Sequence, residues 1–127
     1  MSAKIDFKLS QIGQITMPVT DLERAVSFYR EKLGLKHLFT TTGLAFFDCD
    51  GIRLMLGVPE REELNPPGSI IYFKVIDIET AHQTLLERGV HFEDRPHLVA
   101  RLETHEVWMT FFRDTEGNLL SLMSEKR

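Results

Sequence analysis

The chain has 127 residues, of which 43% are hydrophobic and 27% charged, a composition typical of one globular domain and not of a disordered chain. A formal net charge of -4 argues against nucleic acid and anionic membranes as partners. The one cysteine, Cys49, excludes an internal disulfide, and no apolar run is long enough to span a bilayer. The first ten residues carry charges and no apolar stretch, so we expect that they are not a secretory signal. We therefore expect a cytoplasmic protein with a single domain over residues 1–127.

Two similar segments indicate an internal repeat. When Asp21 is aligned with Asp77, the pairs Leu22/Ile78, Glu23/Glu79, Ala25/Ala81 and Glu31/Glu87 match. A second match follows in the same order. It pairs Phe46 with Phe112, Gly51 with Gly117, Leu54 with Leu120 and Leu56 with Leu122. We interpret the chain as two copies of one module, about 10–57 and about 69–125, joined by a linker over 58–68. Chance similarity of two unrelated βα units is the alternative.

The first module begins with an alternating segment. Residues 14–19 place Ile15, Met17 and Val19 on one face, which predicts a strand packed on a core. Thr20 to Glu23 forms a capping-box pattern in which Asp21 is an equally good N-cap, and Gly34 ends the helix that follows. Leu44 to Phe47 and Ile52 to Leu56 then predict a hairpin around the turn 48–51.

The second module repeats this order. Its core-facing strand residues are Ile71, Phe73 and Val75, its helix runs from near Asp77 to Gly89, and its last two strands cover about 107–113 and 118–123. The order is β-α-β-β-β twice, which predicts an α+β fold. One helix covers one face of each sheet, so the two βαβββ modules in tandem would form a cup-shaped mixed sheet with an open face.

Three segments resemble a known superfamily: V-x-D-L-E-R-A, F-Y-x-x-x-L-G-L and F-F-R-D-T-E-G-N-L-L-S-L-M. They look like the vicinal oxygen chelate superfamily, which includes glyoxalase I, extradiol dioxygenases, methylmalonyl-CoA epimerase, fosfomycin-resistance enzymes and bleomycin-resistance proteins. The resemblance covers roughly residues 10–125. It implies the two-module fold, but that scaffold hosts many chemistries.

The resemblance also points to four metal-ligand positions, two in each module. In this chain they hold Gln14, Met55, Ile70 and Ser121. Only Gln14 offers a credible donor to a hard or borderline divalent ion, because a thioether, an alkyl group and a protonated hydroxyl are poor ligands for such ions. We therefore expect no metal and no other cofactor.

Strand alternation assigns a set of side chains to the open face of the cup. They are Gln14, Thr16, Arg53, Met55, Ile70, Tyr72, Lys74, His105, Val107, Met109, Phe111, Leu119, Ser121 and Met123. Such an aromatic and methionine-rich lining with a few polar groups is typical of small-molecule sites. We expect a metal-free cup that binds a small, partly apolar organic molecule through Gln14, Arg53, Met55, Ile70, Tyr72, Lys74, Met109, Phe111 and Ser121. The alternative for the apolar members is simple packing between the sheets.

Three further questions stay open at this point. If Arg53 and Lys74 point into the cup they favour an anionic ligand, whereas they can also extend to solvent. The alternative function is a lyase, isomerase or epimerase, for which His105 and Tyr72 are the catalytic candidates. We expect a homodimer, since symmetric dimers are the commonest oligomers, but the sequence does not decide whether a cup forms within one chain or between two.

Overall fold

The computed structural model describes residues 12–59 and 69–127, so most of the predicted linker lies outside the described residues. The first module contains β1 (Gln14–Pro18), α1 (Leu22–Ser27), a π-helical turn (Phe28–Lys32), β2 (Lys36–Thr41), β3 (Leu44–Cys49) and β4 (Ile52–Gly57). The second contains β5 (Ile71–Lys74), α2 (Ile78–Glu87), β6 (His91–Phe92), β7 (His97–Arg101), β8 (Glu106–Arg113) and β9 (Leu119–Lys126). Within the described residues, neither helix is long and apolar enough to cross a membrane.

The strands form two mixed sheets, one for each module. The first has the order β1-β4-β3-β2 and the second β5-β9-β8-β6, with β7 also paired to β8. In each sheet the first strand of the module runs parallel to the last, and the other neighbours are antiparallel. The predicted α+β fold of two repeated modules is therefore confirmed. In the described part of the chain, the two sheets remain separate because no strand pair joins them.

The second module has one strand more than the repeat predicts. Its third element is split into β6 and β7, with Pro96, which lacks a backbone N–H, in the gap. There the carboxylate of Asp94 accepts hydrogen bonds from the Phe111 amide, at 2.8 Å, and from the Thr110 hydroxyl, at 2.8 Å. The side chain of Asp94 thus satisfies an amide of β8 that a continuous strand would otherwise bond.

Both helices begin at the predicted aspartates. The carboxylate of Asp21 accepts a hydrogen bond from the Arg24 amide at 3.1 Å, and that of Asp77 accepts one from the Thr80 amide at 3.1 Å. The hydrogen bond from the Thr80 amide, joined by one from its hydroxyl, holds the pKa of Asp77 below its usual value. The first helix does not stay α-helical to Gly34: after Ser27 it widens into the π turn, where the Leu33 amide reaches back to the Phe28 carbonyl.

The hydrophobic core lies between the helices and one face of each sheet. From the first module it includes Met17, Tyr29, Phe47, Leu54 and Leu56. From the second it includes Ile78, Leu85, Phe112, Leu120 and Leu122. Those that lie on strands β1, β4, β8 and β9 have the alternation parity that was predicted to face the helices. The side chains of the opposite alternation form the other face of each sheet. Neither helix covers that face, and the candidate site lies on it.

The two modules are joined by hydrogen bonds at the beginning of α1 and in the π-helical turn that follows it. Glu116, in the β8–β9 turn, accepts bonds from the amides of Thr20 and Asp21, both at 2.9 Å. The hydroxyl of Tyr29 donates to Asp114 at 2.7 Å, and the Asn118 side-chain amide donates to the Pro18 carbonyl at 3.1 Å. Elsewhere the guanidinium of Arg88 donates to the carbonyl of Lys32 at 2.9 Å.

Candidate functional site

The open face of the first sheet is organised by Arg53. Gln14 and Arg53 are neighbours across β1 and β4, and their side chains meet where the Arg53 Nε donates to the Gln14 Oε1 at 2.9 Å. The Gln14 amide nitrogen lies 3.7 Å from the Met55 Sδ and 3.4 Å from the Thr16 Oγ1. These four predicted side chains therefore lie on one continuous surface.

Two phenylalanines that sequence reasoning missed complete this surface. Phe46 is the β3 neighbour of Met55, and the Arg53 guanidinium carbon lies 5.6 Å from the centre of its ring. Phe39 on β2 stacks against Phe46 with ring centres 4.6 Å apart and is 49% exposed. The face of Phe39 was hard to predict because β2 contains an irregularity between His37 and Phe39 that shifts its alternation. Phe46 was missed because the repeat alignment matched it with Phe112, a core residue. In the structure Phe47, not Phe46, is the equivalent of Phe112, so that match was wrong by one residue.

The open face of the second sheet has an aromatic pair over a serine. Tyr72, Ser121 and Phe111 lie in register across β5, β9 and β8. The rings of Tyr72 and Phe111 meet edge to face, with centres 6.2 Å apart, and Tyr72 is 43% exposed. Ser121 is fully buried, and its hydroxyl donates to the Thr110 carbonyl at 3.1 Å. A ligand on this face contacts Ser121 only if the rings beside it move.

His97 is a further residue on this face that the sequence did not single out. It pairs with Met109 across β7 and β8, and its ring lies over Phe111 with centres 6.4 Å apart. Its Nδ1 lies 2.8 Å from the Arg95 carbonyl and 3.7 Å from the Asp94 carboxylate. Met109 in turn is the neighbour of Met123 on β9. The signal for His97 was absent because the β6–β7 break hid its strand position.

The catalytic candidate His105 forms a hydrogen bond at one ring nitrogen and lies near a carboxylate with the other. Its Nδ1 lies 2.9 Å from the Thr104 hydroxyl, and its Nε2 lies 3.7 Å from the Glu125 carboxylate. Lys74 approaches the same carboxylate, at 3.8 Å. No hydrogen bond or ring contact among the described residues joins His105 to Tyr72, the other catalytic candidate. The described contacts therefore do not bring the two catalytic candidates together.

The four positions at which the superfamily resemblance places metal ligands do not suit a divalent cation. The carbonyl oxygen of Gln14 already accepts from the positively charged Arg53, and the Met55 thioether is a soft donor. Ile70, half-buried just before β5, has no donor atom, and the Ser121 hydroxyl is buried and bonded to the main chain. Nor do the described residues contain a cluster of three or more His, Cys, Asp or Glu side chains. The donor set does not fit the metal that the fold family implies.

The described side-chain contacts on each open face are made between residues of the same sheet. On the first, the described side-chain contacts run among Gln14, Thr16, Arg53, Met55 and the two phenylalanines. On the second, the described polar and aromatic side-chain contacts likewise stay within the sheet. The hydrogen bonds that join the modules lie at the beginning of α1, in the π-helical turn, in the β8–β9 turn and at the end of α2.

A cleft of about 560 Å³ lies beside β5, between the two modules. It is lined by the residues of β5, by the end of the β3–β4 hairpin and by the segment from Gly34 to Lys36. Of the predicted ligand-binding residues, only Tyr72 and Lys74 contribute to it. Tyr72 therefore borders both this cleft and the open face of the second sheet.

The fold and these motifs define a superfamily, and comparison with known proteins agrees. The chain belongs to the Glyoxalase/Bleomycin resistance protein/Dioxygenase superfamily, whose family model matches residues 11–122. The predicted resemblance is thus confirmed.

Individual relatives show the range of this superfamily. A glyoxylase-like domain-containing protein of Didymella fabae is 31% identical, over 85% of this chain and 88% of its own. The glutathione transferase FosA of Serratia marcescens is 29% identical, over 90% of this chain and 80% of its own. A crystal structure of a superfamily member from Sphaerobacter thermophilus superposes with a TM-score of 0.75 at 28% identity, over 92% of this chain and 98% of that one.

Proposed function

We propose that this protein is a receptor for a small, partly apolar organic molecule, which it binds without a metal ion. The proposal rests on the open faces of its two sheets. Each carries aromatic and methionine side chains beside a few polar groups, the usual lining of a small-molecule site. The unsuitable donor set at the four ligand positions supports binding that is independent of a metal.

The complete site is a cup shared between two copies of the chain. In one chain the described side-chain contacts of each open face stay within its own sheet, which leaves Tyr72 and Phe39 largely exposed. A homodimer in which the first module of one copy faces the second module of the other would cover both faces and create two identical cups. This arrangement explains why the contacts between modules of one chain lie elsewhere.

Mixing two defective variants tests the shared cup. Thr16→Arg obstructs the first face and Tyr72→Arg the second, both at exposed positions where the chain can still fold. Binding is followed by the fluorescence of N-phenylnaphthylamine, a neutral aromatic probe. Each variant alone should fail to bind, whereas an exchanged mixture should recover about a quarter of the wild-type sites, because half the dimers then carry one intact cup.

Two results contradict this proposal. Binding that is never recovered in a mixture whose subunits have exchanged shows that each cup forms within one chain. Failure of the wild-type protein to bind the probe or any member of a small-molecule library rejects the receptor function itself. Light scattering on the wild-type protein supplies the control for dimer mass.

The alternative is an enzyme of the lyase, isomerase or epimerase type, acting through His105 and Tyr72. The test uses the hemithioacetal that glutathione forms with methylglyoxal, a model substrate for a lyase or isomerase. Protein is incubated with it, and formation of the thioester is followed by ultraviolet absorbance. Catalysed conversion that His105→Gln or Tyr72→Phe abolishes would replace the receptor proposal. We expect none, because the described contacts do not bring His105 and Tyr72 together.

A further inference from the structure

We propose that Arg53 is an anion clamp, so that the ligand of the cup is an organic anion: a carboxylate, sulfonate or phosphonate attached to an aromatic or alkyl body. This inference rests on the proposed function and narrows it to one ligand class. It depends on how the first sheet holds the Arg53 guanidinium.

The guanidinium of Arg53 is restrained from two sides while the residue stays exposed. Its Nε donates to the Gln14 Oε1 at 2.9 Å, and its carbon lies 5.6 Å from the centre of the Phe46 ring. Within the described ranges, the two Nη groups have no hydrogen-bond partner and no carboxylate forms an ion pair with the guanidinium. A planar guanidinium fixed in this way presents donors in the fork that matches a carboxylate or sulfonate.

The acidic side chain beside Arg53 is bonded elsewhere and forms no ion pair with it among the described residues. Asp48 is the β3 neighbour of Arg53, but its carboxylate accepts a hydrogen bond from the Gly51 amide, at 3.1 Å, in the hairpin turn. Lys74, the other predicted cation, differs because it already approaches Glu125, at 3.8 Å. Arg53 is therefore the better candidate for an external anion.

The surroundings of Arg53 specify the rest of the ligand. Phe46 and Phe39 stack beside it as an aromatic shelf, and Met55 adds an adaptable apolar contact. An anion with an apolar body can place its charge on the guanidinium and its body on this shelf. Gln14 acts as a positioning residue, since its amide oxygen holds the Nε and thereby sets the orientation of the fork.

The test uses two dyes that differ by one charged group. Anilinonaphthalene sulfonate carries a sulfonate, and N-phenylnaphthylamine has the same aromatic body without it. The wild-type protein should bind the sulfonate about tenfold more tightly than the neutral dye, the usual value of one well-placed charged hydrogen-bond pair. Arg53→Met should bring the ratio of the two affinities close to one, and this ratio, not the affinity for either dye alone, is the quantity compared.

Two matched variants separate the clamp from general charge. Arg30→Met also removes one exposed arginine, but in the π turn beside Glu31, and should leave the preference unchanged. Gln14→Glu keeps Arg53 but places a carboxylate beside its guanidinium, where it forms an ion pair within the protein. The preference for the sulfonate dye should therefore fall although no cation is lost.

The outcomes distinguish the inference from the function on which it rests. Equal binding of both dyes by the wild-type protein, or a sulfonate preference that survives Arg53→Met, overturns the anion clamp and leaves the receptor proposal standing. Binding of neither dye, with no ligand found in a library, overturns both.

Discussion

The hydroxyl of Tyr29 in the first module donates a 2.7 Å hydrogen bond to the carboxylate of Asp114 in the second. Both side chains are buried. The same carboxylate accepts from the amides of Glu116, at 2.8 Å, and Asn118, at 2.9 Å, so its charge is well compensated. Burial, with the charge of Asp114 as a second cause, raises the pKa of Tyr29 far above its ordinary value and keeps the hydroxyl protonated as a donor.

Tyr29→Phe should destabilise the chain by about 1–2 kcal/mol, because one bond between buried partners is lost while Asp114 keeps its other donors. Urea denaturation measures the change in the free energy of unfolding. The control is Tyr72→Phe, an exposed tyrosine, which should change stability by less than about 0.5 kcal/mol. Equal stability of the two variants would contradict a structural role for the Tyr29 bond.

Glu116→Gln should weaken the protein at neutral pH and reduce its sensitivity to acid. Burial alone would raise the pKa of Glu116, but the hydrogen bonds from Asp21 and Thr20 outweigh it and leave the pKa below its usual value. Its stabilisation is therefore complete above the ordinary glutamate pKa of about 4.3 and is lost as the pH falls through the lower folded value. We expect an effect of up to about 1 kcal/mol, since the site is partly exposed.

Urea titrations at neutral pH and at several acidic values measure this difference. Glu23→Gln, in the exposed first turn of α1, is the control and should follow the wild-type pH dependence. A Glu116→Gln protein whose stability falls with acid as steeply as that of the wild type would exclude Glu116 as the source.

Cys49 should react slowly in the folded protein. Burial raises the pKa of its thiol, and the negative charge of Asp48 adds to this, so little reactive thiolate exists at neutral pH. We expect alkylation by iodoacetamide to be about tenfold or more slower than for a free cysteine. Asp48→Asn retains the hydrogen-bond acceptor for Gly51 but removes the charge, and should speed the reaction. A native rate equal to that in urea would show that the thiol is accessible.

His105→Gln should leave ligand affinity within about twofold of wild type, because the described contacts of His105 are with Thr104 and Glu125 and not with Tyr72 or Phe111. Titration with N-phenylnaphthylamine and with its sulfonate analogue measures both affinities. A tenfold loss of either would return His105 to the binding site, and a loss that depends on pH would implicate its protonation.

The local features of this fold were predictable because they depend on short-range patterns. The alternation of Ile15, Met17 and Val19 and the caps at Asp21 and Asp77 each follow from a few neighbouring residues, and the structure confirms them. The repeat then supplied the topology, since two matching series of elements imply two matching sheets.

The features that escaped prediction depend on the assembled sheet. The irregularity in β2 changes the alternation there, so that Phe39 lies on the open face. The interruption between β6 and β7 changes it likewise, so that His97 lies on the open face. Alternation placed Ser121 on that face correctly, but only the packing of its neighbours decides that it is fully buried. Alternation predicts the sheet face to which a side chain points, whereas its accessibility to a ligand depends on which aromatic rings lie beside it.

The bonds between the halves have no repeat-related counterpart. The alignment that pairs Asp21 with Asp77 puts Leu85 in the place of Tyr29 and Ile76 in the place of Thr20, and Ile76 is 99% exposed. At Tyr29 and Thr20 the first half donates and the second accepts, whereas Asn118 and Arg88 donate in the opposite direction. A chimera that joins two first halves would keep Tyr29 and Thr20 and place Asp48 where the second half has Asp114, but it would lack Glu116, Asn118 and Arg88. It would therefore lose most of the hydrogen bonds that attach one half to the other.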